Sequence, residues 1–269
     1  MTRDDRVIIT PLGTISPYCK GKRNCPGFLV NYKGQRILLD IGNGITRYLN
    51  FPTDLKNLHA FVTHGHIDHY GDSGLVQYAS YVNHKMGLLD EEVNFYLPEE
   101  IYSEVASLPE AHAKYTLIRN DAVYIIDDLK ITVHDNKSHT IPAFMIKVES
   151  DWFKIVYTGD IGNTNIGDLI SFAENADLLI NESSLIKAHN VNSTTHFHAY
   201  EAAEVAKQAC VKKLVLTHFW PETKPKLYRE EARKIFKNTV VAQEGKQLVL
   251  KKGGGLCDRF TYALQLFRW

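Results

Sequence analysis

Neither sign of charge is in excess: lysine plus arginine and aspartate plus glutamate each number 31 in 269 residues, giving a formal net charge of +0 and an isoelectric point near 7.2. A protein that grips a long polyanion by its phosphates needs a basic excess or stripe. Long nucleic acid is therefore not an expected partner, and the short clusters Lys20-Gly21-Lys22-Arg23 and Lys251-Lys252 read as solvated loops. Long hydrophobic runs are also missing. None approaches the ~18–20 residues of a membrane span, so no membrane association is expected. Cysteine is scarce, with Cys19, Cys25, Cys210 and Cys257 scattered along the chain. Cys19 and Cys25 suggest a zinc pair, but no second pair follows at zinc-finger spacing, and reduced cytoplasmic thiols are the expectation. The polar start, Met1 to Arg6, lacks a signal-peptide pattern, which again predicts a cytoplasmic protein. No internal repeat or low-complexity tract is visible.

What is present is a strongly patterned apolar content, 44% of residues. That is enough for one domain with a large core, expected over 1–252, with an aromatic tail over 253–269. Alternating or short continuous apolar runs predict strands at 7–11, 27–32, 36–40, 60–63, 94–97, 122–126, 130–134, 143–148, 153–158, 177–181, 213–217, 239–242 and 247–250. Helices are predicted at 73–86, 99–107, 199–209 and 227–238. Leu75, Ala79, Val82 and Met86 recur at helical steps in the first, and Ala202, Ala203, Ala206 and Ala209 let the third pack closely on a sheet. Two sheets with helices outside, an α/β protein built as a four-layered αββα sandwich, satisfy this pattern. Residues 84–120 read as a polar and aromatic connection. In the tail, Phe260, Tyr262, Leu264 and Leu266 alternate after three glycines, a pattern suited to an edge strand or dimer contact.

The chemistry concentrates in His64-Gly65-His66-Ile67-Asp68-His69, directly after the apolar residues Ala60-Phe61-Val62. A tight loop leaving a strand can aim His64 and His66 at one metal and Asp68 and His69 at a second about 3.5–4 Å away, the spacing of two-metal hydrolytic sites. Imidazole with carboxylate suits Zn²⁺, with Mn²⁺ an alternative. Further ligands are available at strand ends: His139 in a polar turn between strands, Asp160 after Ile155-Val156-Tyr157-Thr158-Gly159, and His218 after Leu214-Val215-Leu216-Thr217. In α/β sheets the carboxyl ends of strands are where catalytic groups collect.

Together with Leu39-Asp40-Ile41-Gly42, these residues resemble the metallo-β-lactamase-fold hydrolases over roughly residues 7–250. The resemblance implies one metal on His64, His66 and His139, another on Asp68, His69 and His218, and Asp160 bridging them. Two Zn²⁺ per chain are implied, with Asp40 bracing the histidine loop. Aspartate rather than cysteine at 160 points away from true β-lactamases. Glu182 and His196 sit where the ribonuclease Z-like branch carries an acid pair, in which the histidine protonates the leaving alcohol and the glutamate orients it. A positioned acid of this kind contributes ~10²–10⁴-fold. His198 stands where that branch has a small hydroxyl residue, so His196 is favoured on position but His198 is a second candidate.

Only 21 positions separate His139 from Asp160, where ribonuclease Z inserts its tRNA-gripping arm. This favours a small substrate. Pro11-Leu12-Gly13-Thr14, Cys25-Pro26-Gly27-Phe28 and His218-Phe219-Trp220-Pro221 look most like cyclic-nucleotide phosphodiesterases of this fold, including phage anti-Pycsar proteins and their bacterial homologues. That likeness implies hydrolysis of 3′,5′-cyclic mononucleotides (cCMP, cUMP, cAMP, cGMP) to 5′-monophosphates, a homodimer and, in phage, counter-defence. RNA 3′-end processing and lactone or thioester hydrolysis are the competing enzyme readings. Tyr115, Phe219 and Trp220 are base-stacking candidates; Tyr115 could instead pack on its own helix, and Phe219 and Trp220 could plug the ligand loop.

Overall fold

The computed structural model describes residues 5–108 and 111–258. Fifteen strands among them form two mixed sheets. The first runs β15 (Gly254–Asp258), β14 (Leu248–Lys251), β1 (Arg6–Gly13), β2 (Gly27–Tyr32), β3 (Gln35–Leu39), β4 (Leu58–Phe61), β5 (Val93–Leu97) and β6 (Ala113–Leu117). The second runs β13 (Thr239–Val241), β12 (Leu214–Thr217), β11 (Leu178–Glu182), β10 (Lys154–Tyr157), β9 (Phe144–Glu149), β8 (Leu129–Asp135) and β7 (Val123–Ile126). The helices are α1 (Ile67–Tyr70), α2 (Ser73–Lys85), α3 (Glu99–Ala106), α4 (Ile166–Phe172), α5 (Ala199–Gln208) and α6 (Pro225–Ala232). None is long and apolar enough to cross a membrane.

Three apolar layers explain why this sequence adopts the sandwich. Phe28 and Val30 of β2, Ile37 of β3, Ile131 and Val133 of β8, and Ile155 and Tyr157 of β10 meet between the sheets. Leu29, Leu38, Ala60 and Phe95 point the other way, onto Val76 of α2 and Ile101 and Val105 of α3. Val156, Leu179, Leu214 and Leu216 point out of the second sheet, onto Leu169 of α4, the alanine face of α5 and Tyr228 of α6. The central strands β2, β3, β10, β11 and β12 thus bury both faces, and the two-residue alternation assigns successive side chains to different layers. Full burial of one such aliphatic side chain stabilises by roughly 1.5–3 kcal/mol. The αββα sandwich expected from the pattern is what is observed.

The differences are local. Residues 84–120 are not a simple connection: β6 adds a parallel edge strand beside β5, with Val93 opposite Ala113 and Leu97 opposite Leu117. Its alternating half-exposed residues, Ala-Lys-Tyr-Thr-Leu, give little apolar signal. α1 and α4 were not expected, and the last helix stops at Ala232 rather than 238. Ile235 and Phe236 still pack on the outer core, from a turn. The start of the tail forms β15, antiparallel to β14. The alternating aromatics at 260–269 lie outside the described residues.

Topology places the chemistry. β3, β4, β5 and β6 run parallel, as do β10, β11, β12 and β13. The carboxyl ends of β3, β4, β10, β11 and β12 therefore carry Asp40, the histidine loop, Asp160, Glu182 and His218 to one edge of the sandwich. Two close approaches demand glycine there. A Cβ on Gly42 would overlap the Asp68 carbonyl oxygen, and Gly159, at φ +57°, would place a Cβ 2.8 Å from the Thr63 Cβ.

Candidate active site

Loop 62–69 is hung from one carboxylate. Asp40, at φ +61°, is buried after β3. Its Oδ1 accepts the Thr63 N–H at 2.7 Å; its Oδ2 accepts the Thr63 hydroxyl at 3.1 Å, the Tyr157 hydroxyl at 2.6 Å and His69 Nδ1–H at 2.7 Å. A buried charge is tolerated only when so compensated. Anchoring Nδ1–H leaves the His69 Nε2 lone pair as its ligand atom. Three of the other rings are fixed in the same manner. His64 Nδ1 lies 3.0 Å from Thr63 Oγ1, His139 Nδ1 3.4 Å from the Thr195 carbonyl, and His218 Nδ1 2.8 Å from Ser184 Oγ, which itself donates to Glu182 Oε2. Asp68 Oδ2 accepts the Ser16 hydroxyl at 2.7 Å.

The free atoms converge. His66 Nδ1 stands 3.1 Å from His64 Nε2 and 3.2 Å from His139 Nε2. His69 Nε2 stands 3.2 Å from His218 Nε2, and both face Asp68 Oδ2, at 3.7 and 3.9 Å. Asp160 lies between the two sets. Its Oδ1 is 2.8 Å from His218 Nε2 and 3.1 Å from His69 Nε2, while its Oδ2 is 3.7 Å from His64 Nε2 and 4.0 Å from His139 Nε2. His64, His66, His139 and Asp160 form one candidate metal cluster, and Asp68, His69 and His218 another.

The donor set fits a pair of divalent ions. Imidazole nitrogens about 3.3 Å apart are what a tetrahedral ion with ~2.0–2.1 Å bonds requires. Asp160 Oδ1 is buried and makes no well-directed hydrogen bond although two imidazole nitrogens lie within 3.1 Å of it, the crowding of ligand atoms that an ion between them would satisfy. For His64 and His139 the electrostatics agree. Burial, then the charge of His69, hold His64 well below the ordinary imidazole range, and burial lowers His139, so both favour the neutral, ligating form. Burial opposes charge on His69, but Asp160 and Asp40 outweigh it and raise that ring. Asp160 is likewise penalised by burial, yet His218 and His69 hold its carboxyl well below the usual carboxylate range.

Beside Asp160 stands the acid pair. His196 Nδ1 is 3.0 Å from Glu182 Oε1 and 3.9 Å from Asp160 Oδ2. Glu182 is fully engaged, accepting from the Ile161 N–H, the Ser184 N–H and the Ser184 hydroxyl. Burial disfavours a charged His196, but the charge and hydrogen bond of Glu182 outweigh it and raise the ring to about 9. Its side chain keeps 32% exposure against 1% for Glu182, so Nε2 is the atom free to meet a substrate.

The remaining sequence candidates are placed elsewhere. His198 caps α5, with its Nδ1 3.1 Å from Glu201 and its Nε2 2.9 Å from the Val191 carbonyl. Tyr115 lies in β6, stacked on Phe95 at 5.7 Å. Phe219 is wholly buried against Tyr228, a plug under the His218 loop. Trp220 is 41% exposed and packs edge-on to Tyr18. Ser16, Thr63, Ser184 and Thr195, which fix the ligands, carry no periodic or motif signal beyond Thr63's position before His64.

Asp40→Asn is expected to weaken zinc binding at the Asp68, His69 and His218 cluster by about 10–100-fold, the usual cost of losing a group that orients a ligand. An amide cannot accept all four bonds, and its NH₂ would face the His69 N–H. Titration against a competing chelator measures this; unchanged affinity would show that Asp40 does not set the ring.

The family model described as beta-lactamase superfamily domain matches residues 35–219. The ribonuclease Z of Archaeoglobus fulgidus is 31% identical over 301 aligned positions, covering 88% of this chain and 95% of the relative. The probable metallo-hydrolase YhfI of Bacillus subtilis is 25% identical over 240 positions, covering 88% and 97%. The crystal structure of YhfI superposes with a TM-score of 0.83 at 23% identity, over 91% of this chain and all of that one. A diphosphatase of the PhnP family superposes with a TM-score of 0.74 at 17% identity, over 91% and 98%. With this match, two sheets packed as a sandwich and a histidine–aspartate centre at their edge, the chain belongs to the metallo-β-lactamase superfamily of metallo-hydrolases, with ribonuclease Z-like and YhfI homologues.

Proposed function

We propose that this chain is a dinuclear-metal phosphodiesterase that opens 3′,5′-cyclic mononucleotides to 5′-monophosphates, acting as a cytoplasmic homodimer. The observation that carries the reading is the Glu182–His196 pair beside Asp160. A ribose 3′-alkoxide leaves poorly, and an imidazolium held by a buried carboxylate supplies the proton it needs. Ester or lactone hydrolysis makes less demand for such an acid.

Two divalent ions, Zn²⁺ in the first instance and Mn²⁺ as the alternative, would supply Lewis acidity toward the phosphoryl oxygens and a water acidified toward neutrality. The chain's own part is to hold that centre with seven side chains and to place His196 Nε2 at its open side. His196 donates to O3′ as the P–O3′ bond breaks, and Glu182 keeps Nδ1–H oriented throughout. The ring opens, and both new ends stay on one product.

Substrate size is argued from the short connection. Between His139 and Asp160 the chain builds only the β9–β10 hairpin, with residues 150–153 as its turn. The alignment with the Archaeoglobus ribonuclease Z spans 301 positions, more than this chain possesses, so that relative carries segments this chain lacks. Balanced charge adds no grip for a long polyanion. If the chain is phage-encoded, this activity would suit removal of a cyclic-nucleotide alarm signal. RNA 3′-end processing is the second reading, favoured by the 31% identity to that same ribonuclease Z.

The deciding experiment is product analysis with zinc-loaded protein on cAMP, cGMP, cCMP and cUMP, beside a short 3′-extended tRNA, with Asp68→Ala as the control. Conversion to 5′-monophosphates that the variant abolishes, with intact tRNA, is the expected result. Trimming of the tRNA without cyclic-nucleotide turnover would establish the RNA reading in its place.

A further inference from the structure

The loop between β1 and β2, residues 14–26, carries both N-terminal cysteines and touches both the metal centre and the segment that follows His218. At its start the Ser16 hydroxyl donates to Asp68 Oδ2 at 2.7 Å. On its outer side Tyr18 packs on Trp220 and donates to Glu222 Oε1, and Lys20 pairs with the same carboxylate. That attaches the loop to the segment after His218. Lys20 and Arg23 bond each other's backbones at 3.1 and 3.0 Å, a tight turn that folds Cys19 back over Cys25. Their sulfurs lie 3.8 Å apart, with Cys19 exposed and Cys25 buried.

Both residues also hold loop 41–44. Cys19 Sγ and the Cys25 N–H each donate to the Asn43 carbonyl at 3.0 Å. The Asn43 side chain fills the space over Gly71, immediately after the short helix that bears Asp68 and His69. Any shift of Cys19 therefore has two routes to Asp68: through Ser16, three residues away, and through Asn43.

We propose that Cys19 and Cys25 are a reversible dithiol site, closed by a low-molecular-weight disulfide such as glutathione disulfide, and that closure loosens the hold of Asp68 on its metal. The Cys19 thiolate attacks one sulfur of glutathione disulfide, forming a mixed disulfide and expelling a glutathione thiolate. The Cys25 thiolate then attacks the Cys19 sulfur, the Cys19–Cys25 bond forms, and the second glutathione leaves. Two electrons pass from the protein to glutathione disulfide, and the two thiol protons end on two glutathione molecules. A bonded pair sits at ~2.05 Å, so the sulfurs must close more than an ångström. Cys19 then leaves Asn43, and the loop is drawn from the position in which Ser16 meets Asp68.

The exposed thiol meets the oxidant first. Burial, reinforced by neighbouring Cys19, pushes the Cys25 thiol up, so the second step is the slow one, helped by a partner already in contact. Cys210 is also exposed but has no second described cysteine beside it, and it should stop at the glutathione adduct.

The test uses the full zinc-loaded chain, incubated with glutathione disulfide, desalted, alkylated and mapped by peptide mass. The expected product lacks two hydrogens across the peptides holding Cys19 and Cys25 and reverts with dithiothreitol. In the same samples, zinc release to a colorimetric chelator should be about tenfold faster after oxidation, the scale of losing a group that orients a ligand. Cys19→Ser should give neither the link nor the acceleration. A stable glutathione adduct on Cys19 with Cys25 still alkylatable would overturn the site. A link that leaves zinc release unchanged would overturn its coupling to Asp68. Neither readout requires that any phosphodiester be turned over.

Discussion

Alanine at Asp160 is expected to lower phosphodiester hydrolysis by about 10³–10⁴-fold and to deplete metal from both positions of the centre. Asp160 is the side chain that faces both clusters, Oδ1 toward His218 and His69 and Oδ2 toward His64 and His139. Replacing His66 or Asp68 removes one ligand from one cluster. Replacing Asp160 removes a ligand from each, together with the charge that offsets two cations in a buried site. Metal-based charge stabilisation is worth several kcal/mol, and about 4–5.5 kcal/mol corresponds to the stated loss at ~1.4 kcal/mol per decade. Asp160→Asn keeps the shape and one acceptor oxygen but not the charge, and it should fall between alanine and the parent. Metal content by mass spectrometry, with kcat/KM on the same samples and a thermal melt to check folding, measures the effect. Full occupancy and activity in Asp160→Ala would remove the bridging role.

How much of this centre could be read from the sequence depends on whether a residue's role is local. β10 shows the legible kind: Ile155 and Tyr157 enter the central core while Val156 enters the outer one, a division that alternation alone dictates. Asp160 follows it at a glycine turn, and Gly159 at positive φ lets the chain turn against Thr63. The same strand-then-polar pattern exposes His218, Glu182 and the histidine loop. β6 shows the illegible kind. As an edge strand it buries one partial face, and Lys114 and Thr116 dilute the pattern until only its pairing with β5 identifies it.

The orienting groups were hidden for a different reason. Ser184 holds His218 across 34 positions and Ser16 holds Asp68 across 52. A single serine hydroxyl has no periodicity, and its use is created by tertiary packing. Phe219 illustrates the converse. An aromatic beside a ligand suits a nucleobase in sequence terms, yet its backbone N–H is committed to Thr14 and the following Ser16 N–H to its own carbonyl. That small parallel contact with the β1 loop draws the ring inward onto Tyr228. Backbone pairing decided the ring's direction, and sequence carries no record of it.

His196→Ala is expected to cost about 10²–10⁴-fold in kcat on a cyclic nucleotide, the range for a lost general acid, and far less on bis(p-nitrophenyl) phosphate. Nitrophenolate leaves without a proton, whereas a ribose alkoxide does not, so the contrast between substrates isolates proton donation from structural damage. The pH dependence has a definite sign. Glu182 raises the His196 ring above its ordinary value, to about 9, so the proton-donating form is present below that value and is lost as pH rises through it. Two bound cations would oppose Glu182, which places the alkaline limb of kcat at or below about 9. Glu182→Gln removes the charge that raises the ring, and the limb should move to lower pH while the metals stay bound. If His196→Ala slowed both substrates equally, or if Glu182→Gln left the limb in place, His196 would be a support for the metal loop rather than the acid. Ser184, which bonds both Glu182 and His218, would then be the connection through which that support acts.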